Sequence, residues 1–131
     1  VWAYTVINTN SPRQLDRPMA QGIIDFARAG QASIITPFCL AGAMAPVTVA
    51  GTLTQVLAEV LAGVSYSQLI RKGAPVIAGA FVTSIDMNSG APTFGTPEAS
   101  HITYGVGQLV RRLGLPYRSA GGFCGSTDTK S

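Results

Sequence analysis

Charge is what this 131-residue sequence has least of. Only 11% of its residues are Asp, Glu, Lys or Arg, against 47% hydrophobic, where a soluble domain ordinarily carries about a quarter charged residues. Nine basic and six acidic residues leave a net charge of +3, too weak and too scattered to make a nucleic-acid-binding face. The single histidine, His101, leaves no imidazole pair for a protein-built zinc site. The two cysteines, Cys39 and Cys124, have neither CxxC nor zinc spacing, so both read as free thiols in a reducing compartment, the cytoplasm. There is no basic-then-apolar start of a secretory signal. No GxGxxG or GxxxxGK[ST] pattern marks a phosphate loop, and no Ser-His-Asp order can be assembled.

What is present alternates between strand and helix patterns. Residues 1–7 (VWAYTVI) are β-branched and aromatic and read as a strand, closed by the polar cluster 8–12. Leu15, Met19, Ile23 and Phe26 give the apolar face of a first helix, with Gly30 as its C-terminal cap. Residues 32–36 (ASIIT) read as a second strand and 37–46 as a loop. A long helix over 47–71 buries Val49, Leu53, Val56, Val60 and Val64. The stretch 38–64 is apolar enough to suggest a membrane span. However, Pro46 interrupts it, and Thr48, Thr52, Gln55 and Glu59 recur as a polar stripe, read as a solvated face with no membrane partner.

The stretch 73–98 is the centre of the pattern. Its unbroken apolar run 75–82 (PVIAGAFV) suits a strand buried on both faces. A polar, Gly-rich loop follows over 83–95. Thr96-Pro97-Glu98 then reads as N-cap, first-turn proline and first-turn acid of a third helix reaching residue 113. Residues 116–120 (PYRSA) are a fourth strand, and 121–131 a Gly- and Ser-rich exit.

One punctuation recurs: Arg71-Lys72-Gly73-Ala74-Pro75 and Arg111-Arg112-Leu113-Gly114-Leu115-Pro116, with Arg28-Ala29-Gly30 a weaker copy. Helix ends at a spacing of roughly 40 residues, each feeding a strand, make a repeated α/β unit, and right-handed crossovers place the four strands parallel. Both sheet edges, 1–7 and 116–120, are mostly apolar, with Arg118 their one charge. The expected fold is therefore α/β: about half of a TIM-type (β/α)8 barrel, with four parallel strands and three helices. Residues 1–131 form part of that one domain, with no internal boundary. A small complete doubly wound domain is the alternative.

Parallel strands bring four loops to one end, over 8–12, 37–46, 83–95 and 121–128. They supply Phe38, Met44, Asp86, Met87, Asn88, Phe94, Phe123, Cys124, Ser126 and Asp128, with Gly121 and Gly122 as backbone candidates. Aromatic and thioether surface with a few carboxylates suits an apolar or cationic ligand better than a phosphate. Plainer roles stand beside these. Glu98 serves a helix dipole, His101 a surface or packing position, and Glu59 a solvated face. Asp86 either closes its own loop or balances a ligand cation, in which case Asp86→Asn weakens a quaternary amine and spares its neutral isostere.

The wording PFCLAGAMAPVTVAGTLTQVLAEVLAGV, KGAPVIAGAFVTSIDMNSGAPTFGTPE and QLVRRLGLPYRSAGGFCGSTDTKS resembles the trimethylamine methyltransferase family, in order from about residue 36 to 131. The resemblance implies a (β/α)8 barrel. It also implies methyl transfer from a methylated amine to the cobalt of a corrinoid (cobalamin) on a separate corrinoid protein, in a homo-oligomeric, methanogenesis-related setting. Trimethylamine-specific members carry pyrrolysine near the Gly-rich segment after the GLPYR-type strand. Here that place falls around 121–126 or just past residue 131, and every residue is standard. With the place inside the sequence, the chain resembles the branch without pyrrolysine, some of whose members demethylate glycine betaine. Two other readings are a non-catalytic quaternary-amine binding module and an unrelated barrel enzyme with a phosphate-bearing substrate.

Overall fold

Each helix begins at a side chain that accepts an otherwise unpaired backbone N–H. In the computed structural model, which describes residues 2–121, the Asp16 carboxylate caps α1 (Arg17–Ala29), accepting from Met19 N at 2.9 Å. Thr48 caps α2 (Val49–Ile70) through Gly51 N at 3.2 Å, and Thr96 caps α3 (Pro97–Arg112) through Ala99 N at 3.3 Å. The helix ends follow the glycine punctuation: Gly30, Gly73 and Gly114 take φ of 69°, 81° and 69°. Open space surrounds a Cβ built at Gly73 or Gly114, so backbone handedness alone favours glycine there. Arg71 reaches to the neighbouring helix and places Nη1 3.3 Å from the Arg28 carbonyl, a cation at the negative end of α1.

The strands are β1 (Tyr4–Asn10), β2 (Ala32–Ala41), β3 (Val76–Ile85), β4 (Pro92–Thr93) and β5 (Tyr117–Ser119). β1 pairs with β2, β2 with β3, and β3 with β5, all parallel, as the repeat requires. The result is an α/β chain whose curled sheet forms a half-barrel with three helices, consistent with part of a barrel.

Three boundaries need correcting. Residues 8–10, 37–41 and 83–85, read as loop, continue β1, β2 and β3. Pairing Phe38 with Phe81 and Leu40 with Thr83 extends the ladder past Pro37, whose missing N–H ends a strand only where that N–H is needed. The loop after β3 also holds structure of its own. It folds back so that Pro92 and Thr93 pair antiparallel with Ile85 and Ser84, which makes the sheet mixed.

Strand alternation sends Ile7, Ile35, Cys39, Ala78 and Ala80 to one face, where all three helices pack. Full burial of Ile23, Ile35 and Ile102 contributes roughly 1.5–3 kcal/mol for each side chain. A Cβ on Gly63 would stand 2.6 Å from Ile35 Cγ2, so α2 lies directly against β2. Tyr117 anchors β5 to α3 by donating to the Thr103 carbonyl at 3.2 Å, and its burial raises the phenol pKa. Among the described residues, one helix, α2, is long and apolar enough to pass for a membrane span. Here Val56, Val60, Gly63 and Ser67 are buried within the fold.

Candidate functional site

The C-terminal end of β1 and the turn after it are tied to α2 by one residue of that helix. Glu59 is the only charged residue between positions 49 and 70, and it is 5% exposed rather than solvated. Its Oε2 accepts from Thr9 Oγ1 and from Ser11 Oγ at 2.7 Å. Its Oε1 accepts from Arg13 N at 2.8 Å and Gln55 Nε2 at 3.1 Å. Burial works to raise the Glu59 pKa, but the bonds from Thr9, Arg13, Ser11 and Gln55 outweigh it and hold the carboxyl below its ordinary value. Arg13 takes a φ of 57°, a conformation non-glycine residues seldom adopt, and its N–H bond to Glu59 secures it. The expected solvated stripe is thus turned inward. Thr52 Oγ1 donates to the Pro46 carbonyl at 2.6 Å, and Gln55 to the Met44 carbonyl at 2.8 Å.

Ser11 Oγ also lies 2.9 Å from Cys39 Sγ. Burial first, eased by the Ser11 contact and reinforced by the Glu59 charge, pushes the Cys39 thiol up to about 11. Such a thiol is a packing group with little thiolate at neutral pH. Cys39 is free and buried.

At the end of β3, the loop closes on itself. Asp86 accepts from Ser89 Oγ at 2.6 Å, Asn88 N at 3.1 Å and Ser89 N at 3.3 Å. The Ser89 hydroxyl first, then the Asn88 amide, holds its carboxyl below the usual aspartate value. Hydroxyls join this loop to the start of α3: Thr83 Oγ1 donates to the Thr93 carbonyl, and Ser84 Oγ meets Thr93 Oγ1 at 2.7 Å and Thr96 Oγ1 at 3.1 Å.

Between β3, β5 and the first turns of α3 lies a cavity of about 310 Å³, with Phe81, Thr83, Phe94, Tyr104, Ser119 and Gly121 among its lining residues. Among the described residues, none that line it is Asp, Glu, His, Lys or Arg. Phe38 stacks on Phe81, with ring centroids 5.1 Å apart and planes 17° from parallel. The structure therefore brings Phe94 and Gly121 to one cavity, while Phe38 does not line it and only stacks on Phe81, which does. Other candidates lie elsewhere. Met87 and Glu98 line a separate space of about 320 Å³ beside the N-terminus of α2. Asp86 stands in its own loop, and Met44 offers its carbonyl to Gln55. His101 is exposed on α3. Gly122, Phe123, Cys124, Ser126 and Asp128 lie outside the described residues. Among the described residues no group of three His, Cys, Asp or Glu is placed to hold a metal ion.

Sequence reasoning missed Glu59 and Phe81. A lone acid in a 22-residue apolar helix is the signal for the first, because an unpaired buried charge is costly. For the second the signal is weaker: Phe81 and Gly79 fall on the same strand face.

Residues 1–130 match the family described as Trimethylamine methyltransferase (MTTB). The chain is 42% identical over 118 residues to the glycine betaine methyltransferase of Desulfitobacterium hafniense (strain Y51), covering 90% of this chain and 25% of that protein. It is 38% identical over 112 residues to the trimethylamine methyltransferase MttB of D. hafniense (strain DSM 10664 / DCB-2), covering 86% and 23%. To MttB of Methanosarcina barkeri it is 37% identical over 111 residues, covering 85% and 22%. The chain thus spans about a quarter of the length of the curated relatives it matches. It belongs to the trimethylamine methyltransferase family.

Proposed function

We propose that the protein transfers a methyl group from a quaternary amine to the cobalt of a corrinoid carried by a separate protein, within a complete (β/α)8 barrel in the cytoplasm. Support for methyl transfer comes from the family match along residues 1–130. The preference for a quaternary amine is supported by the cavity at the end of β3, whose described lining is aromatic at Phe81, Phe94 and Tyr104 and includes no carboxylic acid or imidazole. Reduced cobalt supplies an electron pair to the methyl carbon, and the carbon–nitrogen pair returns to nitrogen. A quaternary ammonium then leaves as a neutral tertiary amine and needs no proton. A neutral tertiary amine would leave as an amide anion unless an acid protonated it first. The corrinoid is a co-substrate here, and no residue of this chain has to ligate it.

The test is methylcobalamin formation by the full-length protein from reduced cobalamin, with glycine betaine, other quaternary amines and trimethylamine offered separately. Methyl transfer from one or more quaternary amines and none from trimethylamine is the expected result. Saturable amine binding with no methylcobalamin would make the protein a binding module instead. Transfer from trimethylamine alone would overturn the choice of substrate class.

A further inference from the structure

The face of the sheet turned away from the helices is ordered in rows by the strand register. Asn8 pairs with Thr36, and Thr36 sits so close to Gly79 that a Cβ there would clash with its Oγ1. Two residues further along each strand, and so next on this face, Phe38 stands beside Phe81. A small pair, Thr36 and Gly79, thus precedes a large aromatic pair. Thr36 Oγ1 is buried without a hydrogen-bond partner, so packing rather than polarity holds it. Phe81 belongs to both the stack and the wall of the 310 Å³ cavity, with Phe94 lining the same space.

We infer that Phe81, braced by Phe38, recognises the cationic end of the amine through its ring face, and that Asp86 does not. The inference rests on reading this cavity as the amine site. A quaternary ammonium makes no hydrogen bonds and is attracted to the negative face of an aromatic ring. A carboxylate in contact would hold it more strongly, but in the wrong state. Positive charge leaves nitrogen as the methyl departs, so an anionic partner stabilises the bound substrate more than the transition state and raises the barrier. A ring binds the cation with less of that penalty. Asp86 is also engaged already, by three donors of its own loop, and does not line the cavity. Thr36 and Gly79 are positioning residues, since a larger side chain at 79 would push Thr36 toward the rings.

Equilibrium binding by the full-length protein tests this, with glycine betaine compared against 3,3-dimethylbutanoate, its uncharged-head isostere. Phe81→Leu is expected to weaken betaine binding roughly 3- to 30-fold, the range for losing one cation–π contact, and to leave the isostere almost unchanged. Placing phenylalanines with successive ring fluorines at position 81, which nearly keeps the shape, should weaken betaine in steps. Asp86→Asn should leave the preference for betaine intact. Fluorination without effect, or loss of the preference in Asp86→Asn, overturns the role of Phe81. Wild-type protein that binds no methylated amine overturns the reading of the cavity itself, a separate failure.

Discussion

Two carboxylates, Glu59 and Asp86, end up at the same rim of the half-barrel in opposite circumstances. Both accept bonds from neighbouring hydroxyls and backbone amides, and both are held below their ordinary pKa. Glu59 is buried and takes its donors from residues 46 to 50 positions away in sequence, besides Gln55 on its own helix. Asp86 is served by Asn88 and Ser89 of its own loop, in a tight Asx-type turn. The same chemistry thus performs two tasks. Glu59 joins separate elements, whereas Asp86 shapes a single turn. Hydrogen bonding alone would not tell them apart; burial and sequence distance do.

The largest effect that could break this contrast is on stability. Glu59→Ala leaves Thr9, Ser11, Arg13 N and Gln55 without their shared acceptor and is expected to cost about 3 kcal/mol, with Glu59→Gln costing about 2 kcal/mol. A lower urea midpoint at unchanged slope would report it. An unchanged midpoint would mean that Glu59 is no more structural than Asp86.

Acid titration sharpens the contrast next. A carboxyl with a lower pKa folded than unfolded contributes fully above the unfolded value, about 4.3 for glutamate. That contribution is lost as pH falls through the folded value. Stability of the wild type should therefore drop below about pH 4, and Glu59→Gln should flatten the drop. Asp86 shifts in the same direction, but solvent screens an exposed group, so Asp86→Asn should flatten it less. Urea midpoints measured from pH 3 to 6 compare the three proteins.

The smallest effect is expected from Asp86→Asn at neutral pH. The amide oxygen can still accept from Asn88 N or Ser89 N, so the thermal midpoint should stay within measurement error while exchange of the Gly90 amide quickens slightly. A large fall in the midpoint would place Asp86 with Glu59 as a joining residue.

Much of the fold was legible because its determinants are local. Thr96 caps α3 within three residues, as its Thr-Pro-Glu start announces, and Gly30 and Gly114 take positive φ just past the helices they close. The caps Asp16 and Thr48, by contrast, went unread. The rest of what stayed hidden was non-local. The length of β2 past Pro37 depends on its pairing with β3, which starts some forty residues later. The candidate site divides in the same way. Phe94 could be placed at the rim from loop position alone, whereas Phe38, read as loop, lies within β2. The stacking of Phe38 on Phe81 needs the strand register, and the fate of Glu59 needs the packing of α2 against the loop after β1.

That clamp also sets an order of events as the chain leaves the ribosome. Thr9, Ser11 and the Arg13 amide emerge well before their acceptor, which appears 46 to 50 residues later and only reaches them once α2 has wound. Until then those donors remain hydrated and the turn after β1 has nothing to hold Arg13 at positive φ. The first strand–helix unit is thus completed retroactively by the second. A nascent chain ending before position 59 should show β1 and its loop unprotected against proteases, and one extending past α2 should show them closed.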